Sequence, residues 1–187
     1  QADAHDSKDV IRVAQGTDFV FNGIFPSCNI PVMQACLQIG AHYTDLFSWA
    51  VEGPDVPRSE TIDAQLEMHE EFKAAGITAI PGLGVAPGWT NIVTRYIVET
   101  LDTVDSVITR TVDWIDSTEL LAPVVPWQVF YLWLGPPHPT YIENGQFKKI
   151  GLLESEEEYE LPEPIGKQKV YTFAQDPDIV LLNRFSG

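Results

Sequence analysis

The stretch Asp18-Phe19-Val20-Phe21-Asn22-Gly23 decides the fold, because it is a short unbroken apolar run that ends in small polar residues. A half-wet antiparallel strand would alternate, whereas a parallel strand buried on both faces reads as continuous. Upstream, Val10, Ile11, Val13 and Ala14 recur at helical spacing and Gly16 suits the position after a helix end. Downstream, Gly23-Ile24-Phe25-Pro26-Ser27-Cys28 reads as a loop. Asn29 is a candidate N-cap, Pro31 suits a first turn, and an apolar helix runs to Ile39 before Gly40 stops it. The unit then repeats. Ala41-His42-Tyr43-Thr44-Asp45-Leu46 is a second strand, residues 48–57 form a loop rich in Gly, Pro and acids, and residues 59–75 form a polar helix with Ile62, Leu66 and Phe72 near one face. Gly76 ends it, and Ile77-Thr78-Ala79-Ile80 is a third strand. Strands alternating with helices across short connections predict right-handed crossovers, a parallel sheet with helices on its faces, and so the α/β class.

Past the third strand, Pro81-Gly82-Leu83-Gly84-Val85-Ala86-Pro87-Gly88 leads into a helix with Trp89, Ile92, Val93, Tyr96 and Ile97 on one stripe. Beyond Leu101 the pattern changes. Val107, Ile108, Val112, Trp114 and Ile115, and then residues 127–134, are rich in β-branched and aromatic side chains and predict antiparallel strands. Asn144-Gly145 between Thr140-Tyr141-Ile142 and Phe147-Lys148-Lys149-Ile150 is a strong hairpin signal. Residues 154–160 read as an acidic surface run, and residues 169–173 as a last strand. The shift divides the chain into an α/β domain, 1–103, and a β-rich domain, 104–187.

Composition limits the function classes. With 187 residues, 44% of them hydrophobic, the chain can bury a core without cross-links. Eleven basic against 27 acidic residues leave a net charge of −16, which repels nucleic acid and anionic lipid. No run approaches the ~20 apolar residues of a membrane helix. Cys28 and Cys36 read as buried thiols of a reducing compartment, so the expected location is cytoplasmic. The four histidines show no metal-ligand spacing.

In an open parallel sheet, ligands bind beyond the carboxyl ends of the strands. Asn22-Gly23 with Pro26, Ser27 and Asn29 follows the first strand, Thr44-Asp45 ends the second, and residues 82–88 follow the third. All three belong to one rim. The glycines allow a flat ring or ribose to approach the backbone, and the start of the helix after Gly88 offers N–H groups to a cofactor amide or a carboxylate. His42, three residues before Asp45, is a candidate proton relay or an ordinary hydrogen-bonded histidine.

Taken together, Asn22-Gly23-Ile24-Phe25-Pro26-Ser27-Cys28-Asn29, Gly40-Ala41-His42-Tyr43-Thr44-Asp45, Gly82-Leu83-Gly84-Val85-Ala86-Pro87-Gly88-Trp89-Thr90-Asn91 and the hairpin Tyr141-Ile142-Glu143-Asn144-Gly145-Gln146-Phe147 resemble the saccharopine dehydrogenase-like family, as Arg184 does weakly. The resemblance implies the second half of a Rossmann-like parallel sheet followed by part of an α+β antiparallel-sheet domain. It also implies NAD or NADP as cofactor, a small amino-acid-like substrate, and hydride transfer at a C–N bond of an amino acid or polyamine precursor. Asn22, Gly23, Phe25 and Pro26 are expected along the ribose and nicotinamide, with Leu83 and Gly84 near the nicotinamide. Thr44, Asp45, Pro87 and Gly88 are expected to face substrate. Asp45 is the candidate general base, or else a carboxylate that caps the next loop. Ala86 stands where the saccharopine-forming branch carries an acid, which favours the lysine or carboxynorspermidine type. The sequence contains no G-x-G-x-x-G. The expectation is therefore a fragment or a degenerate member, inactive by itself, with weak cofactor binding at most. The alternative is a non-catalytic assembly or ligand-binding module that keeps half the fold. An unpaired edge beside the first strand predicts a homodimer.

Overall fold

A computed structural model describes residues 1–49, 52, 56–112, 140–151 and 153–172. Helix α1, Ser7–Ala14, starts where the Asp6 side chain accepts from the Lys8 N–H, satisfying one donor the helix cannot pair itself. Strand β1, Phe19–Asn22, follows, then a 3-10 turn, Pro26–Cys28, which runs into helix α2, Asn29–Ile39. Asn29 is therefore the first residue of α2 and not its cap, because its amide is drawn inward as described below. Gly40 ends α2 in the left-handed conformation at φ 75°, and its N–H donates to Cys36 O.

Strand β2, His42–Asp45, lies in the middle of a parallel sheet of order β1-β2-β3, in register Phe19 with His42 and Asn22 with Asp45. The expected long helix is two short ones, α3, Ile62–Glu67, and α4, His69–Ala75, separated at Met68 and preceded by a 3-10 turn, Arg58–Glu60. Thr61 caps α3, its hydroxyl accepting from the Ala64 N–H. Strand β3 is only Ala79–Ile80, and helix α5 is Trp89–Val98.

The core lies on one face of this sheet. Val10 from α1, Val32, Met33, Ala35 and Cys36 from α2, Met68, and Phe72 from α4 pack with Tyr43 of β2. Burial pushes the Cys36 thiol up to about 11, so it stays protonated and behaves as an apolar filler. Strand alternation sends Phe19 and Phe21 to the opposite face, where they are 54% and 57% exposed. Helices thus cover one face among the described residues, not both, and the apolar stripe of α5 is exposed at Trp89, Ile92, Tyr96 and Ile97.

Two antiparallel hairpins follow. Strands β4, Thr140–Glu143, and β5, Gln146–Lys149, join through Asn144 and Gly145, both at positive φ, as the Asn-Gly signal predicts. The acidic run is part of a strand, β6, Glu157–Leu161, because β7, Gly166–Val170, places lysines beside it: Lys167 pairs with Glu158 and Lys169 with Glu156, each at 2.6 Å. Arg110 reaches the same hairpin, donating to Glu157 at 2.8 Å and lying 4.1 Å from the Tyr159 ring centroid. Residues 107–112 form no strand. Trp114, Ile115, residues 127–134, Phe173 and Arg184 lie outside the described residues.

Phe72 fills the space between α2 and the sheet, so Phe72→Ala is expected to cost about 3–5 kcal/mol. Urea unfolding followed by circular dichroism measures the loss as a lower midpoint at unchanged slope.

Candidate functional site

The carboxyl ends of β1, β2 and β3 stand side by side, and buried polar side chains fix the loops that leave them. Asp45, the last residue of β2, is 0% exposed. Its Oδ1 accepts from the Gly82 N–H at 2.8 Å, and its Oδ2 accepts from the Tyr43 hydroxyl at 2.7 Å and from Gln65 Nε2 at 2.5 Å. Its backbone carbonyl accepts from the Leu83 N–H at 2.8 Å, extending the β2 contact into the third loop. Burial drives the carboxyl pKa upward, opposed by these hydrogen bonds and by one from the Phe47 N–H. The Tyr43 phenol, pushed up chiefly by its own burial, keeps its proton and remains a donor.

The network continues to the first loop. Asn22 Nδ2 donates to Asn29 Oδ1 at 2.8 Å and lies 3.4 Å from the Tyr43 hydroxyl, while Asn29 Nδ2 donates to Phe47 O at 3.0 Å. Asn22 Oδ1 accepts from the Ile24 N–H at 3.3 Å, which bends the chain out of β1. Thr44 is buried, and its hydroxyl donates to Ile80 O at 2.6 Å. Residues 22–29, 44–45 and 82–83 therefore form one connected rim.

The third loop closes on itself. A Cβ at Gly84 would lie 2.3 Å from Leu46 O, and one at Gly88 would lie 2.4 Å from Gly84 O, so the close approach itself requires both glycines. The N–H groups of Trp89 and Thr90 donate to Gly84 O and Val85 O, and the Gly88 N–H donates to Asn91 Oδ1. The start of α5 thus satisfies its donors within the loop and does not present them to a ligand, contrary to expectation.

The expected site residues separate into two layers. Gly23, Phe25 and Leu83 are exposed at the rim, beside exposed Ile24 and Val85, and Gly84 is half-buried behind them. Asn22, Pro26, Thr44, Asp45, Pro87 and Gly88 are buried beneath. His42 begins β2 at the far end from Asp45, where its Nδ1 accepts from the Thr78 N–H at 2.9 Å, so it takes no part in the rim. Sequence reasoning missed Tyr43 and Gln65. Tyr43 was available from strand alternation, since positions 43 and 45 share a face. Gln65 carried only the weak signal of standing one helical step from Ile62.

Removing the Asp45 acceptor leaves the donors of Tyr43, Gln65 and Gly82 buried without a partner, so Asp45→Ala is expected to cost about 1–3 kcal/mol or more. Asp45→Asn keeps an oxygen for Gly82 and removes the buried charge. Because the folded state raises the Asp45 pKa above its ordinary 3.8, the folded form binds the proton more tightly than the unfolded chain. Wild-type stability from this group is then full below 3.8 and lost as pH rises toward the folded value. Urea midpoints measured from pH 3 upward should show Asp45→Asn gaining on wild type across that window.

Residues 1–80 match the family model described as saccharopine dehydrogenase NADP binding domain. Carboxynorspermidine synthase of Vibrio alginolyticus is 33% identical over 164 residues, covering 85% of this chain and 38% of that protein. Carboxynorspermidine synthase of Vibrio cholerae is 28% identical over 182 residues, 94% of this chain and 43% of its own length. Carboxyaminopropylagmatine dehydrogenase of a Synechocystis species is 34% identical over 96 residues, 50% of this chain and 23% of its own. The chain spans at most about two fifths of the length of these curated relatives. The parallel sheet, the rim and these matches agree, and residues 1–80 are similar to the NADP-binding domain of the saccharopine dehydrogenase family.

Proposed function

We propose that this chain carries the nicotinamide side of an NADP-dependent oxidoreductase acting at a C–N bond of an amino acid or a carboxylated polyamine precursor. The observation that carries the reading is the rim itself: three parallel strand ends tied together through Asp45, with an apolar ledge above them. The ledge suits a flat, weakly polar ring. Ile24, Phe25, Leu83 and Val85 supply exposed apolar surface, and Gly23 leaves backbone accessible between them. The relatives' names, a carboxynorspermidine synthase and a carboxyaminopropylagmatine dehydrogenase, support the polyamine branch, in agreement with Ala86.

The two layers divide the work. Gly23 and Phe25 with Leu83 and Gly84 would border the cofactor, Leu83 through its side chain and carbonyl because its N–H is held by Asp45 O. Asn22 and Pro26 would support the first loop from below, and Thr44, Pro87 and Gly88 the substrate side. When bound, the nicotinamide accepts or donates hydride at the carbon bearing nitrogen. Burial of Asp45 with both oxygens accepting favours a positioning role over the proton-accepting one, since a base must reach the amine it serves. Phe19 and Phe21, exposed on β1, whose outer edge has no neighbouring strand among the described residues, support a homodimer formed at that edge.

NADPH added to the isotopically labelled chain should shift the amide resonances of residues 22–25 and 82–84 with a Kd above about 100 µM, near −5 kcal/mol. Shifts confined elsewhere, or none, overturn the reading, and sub-micromolar affinity contradicts the absence of a pyrophosphate loop from this sequence. Light scattering at micromolar concentration should give roughly twice the 20.9 kDa chain mass, and Phe21→Lys should return it to the monomer value. A wild-type monomer excludes the dimer.

A further inference from the structure

One cluster outside the ledge has the connectivity of an acyl-transfer site. Asp3 Oδ1 accepts from the His5 backbone N–H at 2.9 Å and pairs with His5 Nδ1 at 3.2 Å. The other ring nitrogen, Nε2, stands 3.1 Å from Ser27 Oγ in the 3-10 turn after β1. These two bonds hold the Asp3 carboxyl below the usual range, so it is ionised at neutral pH. A carboxylate on Nδ1 selects the tautomer whose Nε2 is free to accept the serine proton. The Asp3 backbone is itself held, its N–H donating to Asp9 Oδ2 at 3.1 Å.

Cys28 Sγ lies 3.5 Å from the same Nε2 and is the competing nucleophile. It is 3% exposed and burial pushes its thiol up, so it is both protonated and closed off, whereas Ser27 is half-buried and His5 is open to solvent. The loop before Ser27 offers exposed Ile24 and Phe25 to an apolar acyl group.

We propose that Ser27, with His5 as general base and Asp3 orienting it, is a nucleophilic site for small esters with an apolar acyl chain. Ser27 Oγ attacks the ester carbonyl carbon while its proton passes to His5 Nε2. Collapse of the tetrahedral adduct breaks the bond to the alkoxide, which takes that proton from His5 and leaves acyl-Ser27. Water then attacks the acyl carbon, giving its proton through His5 to Ser27 Oγ, and a carboxylic acid departs. Nothing is oxidised or reduced, and the acyl group would share Ile24 and Phe25 with the ledge proposed for the nicotinamide.

The test uses the full chain with p-nitrophenyl acetate and, separately, a fluorophosphonate probe located by peptide mass spectrometry. Saturable nitrophenol release, a label on Ser27, a fall of about 100-fold or more in both Ser27→Ala and His5→Gln, and retained turnover in Cys28→Ala support it. Wild-type turnover no faster than Ser27→Ala, or an unlabelled Ser27 in the folded wild-type chain, overturns it. The labelling result needs no variant, so it decides even where a substitution impairs folding.

Discussion

A carboxylate buried at the end of the central strand is the constraint on which the rest of the structure depends. Asp45 touches the neighbour on its own strand through Tyr43, helix α3 through Gln65, and the third loop through Gly82. Taking a charge out of water is costly, and the several donors that converge on it offset that cost only if each is in place. The arrangement is accordingly all or none. A loop that drifts from Asp45 removes an acceptor from its own N–H and a donor from the carboxylate. This explains how a rim of three separate loops stays fixed although the third strand is only two residues long.

The same logic separates what holds the rim from what meets a ligand. Side chains with strong hydrogen-bonding groups, Asn22, Asn29, Tyr43, Thr44 and Asp45, are spent on one another and on backbone. What remains on the surface is apolar: Ile24, Phe25, Leu83 and Val85. A ring of low polarity gains from such a ledge, and its orientation must come from backbone carbonyls and from whatever else the substrate supplies. A rigid polar foundation beneath an apolar ledge places preorganisation below the site and contact area above it.

Much of this was legible in the sequence because the α/β region obeys short-range rules. A continuous apolar run marked β1, glycines at 40 and 76 marked helix ends, and Asn144-Gly145 marked a hairpin. Loop positions followed from the parallel topology, which puts all strand ends on one side. The errors have a common physical origin in tertiary contacts. Asn29 looked like a cap, but its amide is recruited by Asn22 and Phe47 from 7 and 18 residues away. The acidic run is exposed as expected, but its place in a strand was not legible because the lysines that pair with it arrive from β7. The start of α5 looked like an anion site because nothing local shows that the preceding loop folds back onto its donors.

The raised pKa of Asp45 adds a consequence for how the site is built. A general base must change charge during turnover, and each change at Asp45 would disturb donors from three parts of the fold at once. A residue wired in this way is best used with its protonation state unchanged. In the proposed reaction, the proton leaving the amine would be better accepted by a group exposed to the ligand and free to relax. On this argument the fixed geometry of the rim and the chemistry proposed above it belong to different side chains, and the foundation can stay rigid while the ligand-facing layer meets the substrate.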